Sequence, residues 1–317
     1  MKKLFVAILL LLTSLGGYAN KIDSLNNDND VRQLLLSLIK KTTPSSKSDN
    51  KINIVSWKKA DFNNDKLTDL AVYAQINSYY PPHNYVIIDK GQGDFQSISI
   101  TKAGDADARA PLEIIDINGK KAIIFKTVEY TEIYKKDDLQ HPSPINELNP
   151  ITTPITDTLV YNVNGFVEFN KHPVHHEIDS VIFHAGPCYG PCPIFYAKVD
   201  SRGVVRFEKD KPVKPVIVKD PWGKPGKTIR PQTYLVAKTK LTANETKELF
   251  DLIDYIDFKN LKNHYTVPWT DDVHGWIRVK YKDGTSKEIE DYGEKGTFGL
   301  SMLFGKFYEL AKANKID

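Results

Sequence analysis

The sequence predicts an α+β fold in two units, each a mainly antiparallel sheet with one or two packed helices. Three observations predict it. One amphipathic helical stripe precedes a run of short Ile-, Val- and Tyr-rich segments parted by turn residues. A Pro-rich, aperiodic stretch then interrupts the pattern, and a second run of strand-like segments carries two further helical stripes. With 317 residues, two domains of ordinary size are expected, and 41% hydrophobic residues suffice for a core.

The chain opens with Lys2 and Lys3, an apolar run over 4–12, and Gly17 and Ala19 at the positions three and one before a cut. This pattern predicts a secretory signal peptide over 1–19. The run is shorter than the roughly 20 apolar residues a membrane span needs. No other stretch is apolar enough, so no integral membrane segment is expected after signal cleavage. The expected location is periplasmic or secreted. The formal charge is +3, of which Lys2 and Lys3 supply two; so small an excess excludes nucleic acid as the expected partner.

The first unit, expected over 20–171, starts with Asp30 as a helix cap and Gln33 completing a capping box. Val31, Leu34, Leu35, Leu38 and Ile39 then form one buried stripe. Strands are predicted at 52–57, 70–76, 85–88, 95–100, 112–115 and 122–127. Residues 131–156 carry four prolines and read as a long loop. Asn164-Gly165 marks a hairpin between 158–163 and 166–170, grouped with the first unit.

The second unit, expected over 172–317, has strands at 178–183, 194–199, 204–208 and 235–239, with a Pro-rich insertion at 211–232. Thr242 and Glu245 match a capping box ahead of the stripe Leu249, Phe250, Ile253, Ile256. A hairpin over 276–281 and 287–291 crosses Asp283-Gly284. Leu300, Leu303, Phe304, Phe307 and Ala311 mark the last helix.

The sharpest chemical signal is the loop from Asp61 to Leu70. Asp61, Asn63, Asp65 and Asp69 occupy positions 1, 3, 5 and 9, and the carbonyl of Leu67 falls at position 7. Calcium takes six to eight oxygen ligands, which such a spacing can supply; the same residues also suit an Asx-rich turn between strands. The stretch resembles the calcium loop of FG-GAP and VCBS repeats, with Lys66 where those loops have Gly. That resemblance implies a bound, structural Ca2+.

Cys188-Tyr189-Gly190-Pro191-Cys192-Pro193 holds the only two cysteines. In an oxidising compartment they are expected to form a disulfide across the Gly-Pro turn. A redox-active pair has two intervening residues at a helix start, whereas here three intervene before a strand. The motif opens a stretch, about 178–312, that resembles a bacterial domain of unknown function, family 6438. The resemblance rests on Cys188, Gly190, Cys192 and Pro193, then Asp200 and Gly203, Leu252-Ile253, Phe258, Tyr265, Thr270-Asp271 and Ile289-x-Asp-Tyr-Gly293. It implies secretion and an α+β domain, and brings no activity.

Four histidines, His172, His175, His176 and His184, lie within thirteen residues. They suit either a zinc or copper site or an exposed connector. With no G-x-S-x-G, P-loop, H-E-x-x-H or G-x-G-x-x-G arrangement, the sequence points to a non-enzymatic protein binding an envelope or extracellular partner. The alternatives are a metal-assisted hydrolase using His172–His184 or a thiol-disulfide oxidoreductase using Cys188 and Cys192.

Overall fold

A computed structural model describes residues 20–42, 52–76, 82–101, 112–131, 151–210, 233–267 and 271–316. The signal-peptide reading of 1–19, the insertion at 211–232 and Thr270 lie outside the described residues. Within them the chain is mixed α+β, with three sheets and three α-helices.

The first sheet is a meander of β1 (Asn53–Ala60), β2 (Asp69–Gln75), β3 (His83–Asp89) and β4 (Phe95–Ile100), preceded by α1 (Asp28–Thr42). The second joins β5 (Glu113–Ile117), β6 (Lys120–Thr131), β7 (Ile151–Asn162) and β8 (Gly165–Glu168) in that order. The third uses β9 (Ile178–Ala185), β10 (Phe195–Asp200), β11 (Val204–Asp210), β12 (Thr233–Lys240), β13 (His264–Tyr265), β14 (His274–Tyr281) and β15 (Ser286–Tyr292). Its order is β12-β11-β10-β9-β14-β15-β13. Helices α2 (Ala243–Tyr255) and α3 (Phe298–Ala313) complete this part. The chain divides into compact units 1–125 and 126–317, a boundary that falls inside β6. Three sheets therefore replace the expected one sheet per unit.

In the first unit, Val31, Leu34 and Leu35 of α1 pack with Ile54, Leu70, Val72 and Ile87 of the meander. The cap of α1 differs from expectation. Asn27 Oδ1 accepts the amides of Asn29 (2.9 Å) and Asp30 (3.1 Å), while Asp30 Oδ2 accepts from Asn26 N (3.0 Å). Asn27 lies far enough upstream to reach the first free amides, so the helix starts two residues before Asp30.

Residues 151–156, read as loop, are the start of β7. Ile and Thr favour extended backbone, and Pro154 sits beyond the stretch of β7 paired with β8, which is Leu159–Asn162. Its missing N–H therefore costs no bond on that side. The two-residue β13, parallel to β15, gave no periodic signal.

One face of the third sheet builds the core of the second unit. Alternation places Phe183, Phe195, Phe207, Ile277, Val279 and Ile289 on that face, against Leu249, Leu252 and Ile253 of α2 and Leu300, Leu303, Phe304 and Phe307 of α3. The capping box of Thr242 and Glu245 forms as expected. Val167 of the Asn164-Gly165 hairpin belongs to this same core. Beside it, Glu168 accepts the amides of Phe298 (2.6 Å) and Gly299 (3.0 Å), and Thr297 Oγ1 accepts from Leu300 (3.0 Å). Three of the four free amides of α3 are thus satisfied, with a negative charge at the positive end of the helix. Glu168→Ala is expected to lower the stability of the 126–317 unit by about 1–2 kcal/mol. An unchanged urea midpoint would remove Glu168 as an anchor of α3. No helix among the described residues is long and apolar enough to cross a membrane.

Candidate functional site

The disulfide Cys188–Cys192 is formed, with its Cα atoms 5.8 Å apart, in the loop between β9 and β10. The loop is held to the start of β14 by Gly186 N donating to His274 O at 2.7 Å. Tyr189 inside it is 86% exposed. A strand, not a helix, follows Cys192, so no helix N-terminus lies there to stabilise a thiolate.

The four neighbouring histidines do not come together. His175 Nδ1 lies 2.7 Å from Asp254 Oδ2 and His176 Nδ1 3.3 Å from Asp254 Oδ1, so both pair with one nearly buried carboxylate at the end of α2. His172 is exposed, and His184 sits in β9. Among the described residues, no three or more His, Cys, Asp or Glu side chains are placed to hold a metal ion.

In the Asp61–Leu70 loop the side chains mostly satisfy backbone amides. Asp61 Oδ2 accepts from Lys66 N (2.9 Å), Asn63 Oδ1 from Asp65 N (3.1 Å) and Asp65 Oδ1 from Leu67 N (2.7 Å). Asp69 is fully buried and accepts from Phe62 N (2.8 Å) and Asp89 N (2.9 Å). Asn64 (φ 60°) and Lys66 (φ 73°) both adopt the left-handed conformation, costly for Lys66. Burial pushes Asp69 up to about 6 against its amide bonds, and the charges of Asp65 and Asp61 add to this. Asp89 is raised as well, by burial and by Asp65 and Asp23. Asp61 Oδ1 is buried without a hydrogen-bond partner. A cleft on the same unit, lined by Trp57, Tyr73 and Asn84, encloses ≈ 10 Å³, room for about one water.

The face of the third sheet turned away from α2 and α3 carries the arrangement that sequence reasoning missed. Directly opposed residues run across all seven strands as Leu235, Glu208, Tyr196, His184, Trp276, Glu290 and His264. At its centre the rings stack on one another. His184 lies 3.9 Å from Tyr196 at 6° and 4.9 Å from Trp276 at 17°. His274 covers Trp276 at 3.7 Å and meets Tyr292 edge-on at 5.6 Å. His274 Nε2 lies 2.7 Å from Glu290 Oε1, off the line of a hydrogen bond, and His264 Nδ1 lies 3.5 Å from Oε2. Burial lowers the pKa of His274, partly countered by Glu290.

Disulfide turn, hairpin, capped helix and final helix now stand in one sheet-and-helix unit. Residues 179–311 match the family described as Domain of unknown function (DUF6438). No curated protein and no solved structure matches the chain. All ring residues of the ladder lie within the DUF6438 region. The available signal was outward alternation: His184, Tyr196 and Trp276 each sit between buried residues of a strand, and Tyr292 ends β15 after the buried Asp291.

Beneath one end of the ladder, Glu294 is tucked against Gly275 and accepts from Tyr308 Oη at 2.8 Å. Burial pushes Glu294 up to about 7; the Tyr308 bond and Lys295 oppose this, while Asp291 and Asp272 add to it. The phenol of Tyr308 is raised as well, by burial and then by Glu294.

Proposed function

We propose that the protein is an exported, non-enzymatic binding protein whose ligand surface is the outer sheet face of the DUF6438 region. One observation carries the reading: five aromatic and imidazole rings from four adjacent strands are gathered on the sheet face opposite the one against which α2 and α3 pack. Rings locked by stacking are preorganised, so little side-chain entropy is lost when a ligand docks. The Cys188–Cys192 clip fixes the loop beside that face, and the signal-like N-terminus supports export to an oxidising compartment.

The test is retention of the full chain on an array of immobilised envelope and extracellular polysaccharides. Tyr196→Ala/Trp276→Ala is expected to lose retention on any polymer that holds the unchanged protein, with its melting temperature kept within a few degrees. Equal retention of both proteins on every polymer would refute the binding face.

The Asp61–Leu70 loop is proposed as a structural Ca2+ site on which Asp61, Asn63, Asp65, Asp69 and the Leu67 carbonyl would converge when the ion binds, since their carboxylates are not gathered for a metal without it. Its support is the buried Asp61 Oδ1 without a partner and the crowding of Asp61, Asp65, Asp69, Asp89 and Asp23. A bound divalent cation would relieve that repulsion, and each oxygen of Asp69 keeps a second lone pair beside its amide bond. Millimolar Ca2+ is expected to raise the melting temperature of the 1–125 unit by several degrees, reversibly with chelator. Superimposable melts would leave the loop as an Asx-rich turn.

A further inference from the structure

We infer that the turn 293–296 between β15 and α3 is a proton-operated latch: neutral Glu294 holds it closed beneath β14, and the ionised carboxylate leaves its seat and opens it. Three features of the turn carry this. Glu294 is a non-glycine residue at φ 52°, a left-handed conformation whose strain is released when the turn opens. Its carboxyl occupies the space that a side chain on Gly275 would need. A Cβ there would lie 2.7 Å from Glu294 Oε1, and its three nearest atoms all belong to Glu294. Glu294 also ties the closed turn to α3 twice, through Tyr308 Oη (2.8 Å) and through Ser301 Oγ, which donates to Glu294 O at 2.6 Å.

The groups around the carboxyl set the direction. Asp291 of β15 and Asp272, just before β14, face it with like charge; Lys295 opposes them, and Tyr308 of α3 donates its hydroxyl. His274 and Glu290 take the other face of β14 and β15, with Trp276. Ionisation would thus place a further negative charge in an enclosed site beside two carboxyls, and moving into water relieves it. The neutral form favours the closed turn, so the latch is shut below about pH 7 and opens above it. Opening releases Gly293 N from Val273 O (2.8 Å), and Lys295 N (3.2 Å) and Gly296 N (2.8 Å) from the carboxylate of Asp291. Gly293, at φ 95°, supplies the backbone freedom. Helix α3 stays anchored, because Glu168 and Thr297 hold its first amides.

Hydrogen exchange of the full chain at pH 5.5 and pH 8, normalised to intrinsic rates, tests this on peptides over 291–301, with β9 and β10 as reference. Protection of the turn is expected to fall at least about tenfold further than that of the two strands. Glu294→Gln, which cannot ionise, should keep the turn protected at both pH values. Gly275→Ala, whose methyl displaces the carboxyl, should leave the turn as open at pH 5.5 as the parent's is at pH 8. An equal fall in turn and strands overturns the inference, since ionisation then weakens the whole unit. Opening that persists in Glu294→Gln overturns it by assigning the proton to another group. A turn still protected at pH 5.5 in Gly275→Ala overturns it by removing the seat.

Discussion

Phe183→Ala is expected to lower the stability of the 126–317 unit by about 3–5 kcal/mol. Phe183 is fully buried in the centre of the third sheet. Its ring stacks on Phe307 (5.0 Å, 23°), lies beside Phe304 (5.4 Å), and meets Phe195 (5.7 Å) and Tyr308 (5.5 Å) edge-on. Truncation removes the hydrophobic transfer energy of the ring and the aromatic pair energies, and leaves a cavity. That cavity cannot readily collapse, because β9 is fixed by β10 on one side and β14 on the other. Phe183→Leu keeps most of the volume and should cost clearly less. Urea unfolding of the two variants and the parent supplies the comparison; a loss below about 1 kcal/mol for the alanine would mean that the unit does not depend on this cluster.

The second large effect is pH dependence through Glu294. Its folded pKa of about 7 lies above the ordinary 4.5, because burial disfavours the carboxylate. The folded state therefore holds the proton more tightly than the unfolded state. This contribution is full below pH 4.5 and is lost as pH rises through about 7, amounting to about 3 kcal/mol at alkaline pH. Glu294→Gln keeps an acceptor for Tyr308 and cannot ionise. It should match the parent near pH 4.5 and exceed it by about 2–3 kcal/mol at pH 8.5. Parallel stability curves for the two proteins from pH 4.5 to 8.5 would show that Glu294 titrates as it does in the unfolded chain. Asp291, Asp272 and Lys295 face the same carboxyl. Their charges shift the midpoint without reversing the sign.

The helices were legible because each needs only its own stripe. Leu300, Leu303, Phe304 and Phe307 are spaced to meet one surface whatever lies opposite, and α3 buries those residues. The Thr242–Glu245 cap is equally local. At α1 the cap is Asn27, three residues before the expected Asp30, and periodicity alone does not mark it. The disulfide was legible because proximity in the chain guarantees proximity in space. The ladder was not, since Tyr196, His184 and Trp276 become neighbours only through the order β10-β9-β14, and alternation says which face a side chain takes but not which strand lies beside it. The acidic loop stood between these cases. Asp61 to Asp69 could be read from spacing, whereas Asp23 and Asp89 join them through tertiary packing.

The central pairing of β9 with β14 opposes Phe183 to Ile277 on the inner face and His184 to Trp276 on the outer. A slip of one residue along β9 would exchange the faces, turning His184 into the hydrocarbon and Phe183 into water. The penalty of misplacing Phe183 thus enforces the alignment of His184, Tyr196 and Trp276. Substitutions accepted on the outside leave this alignment in place so long as the inner phenylalanines persist. The outer face is free to diverge chemically while its geometry is inherited from the core.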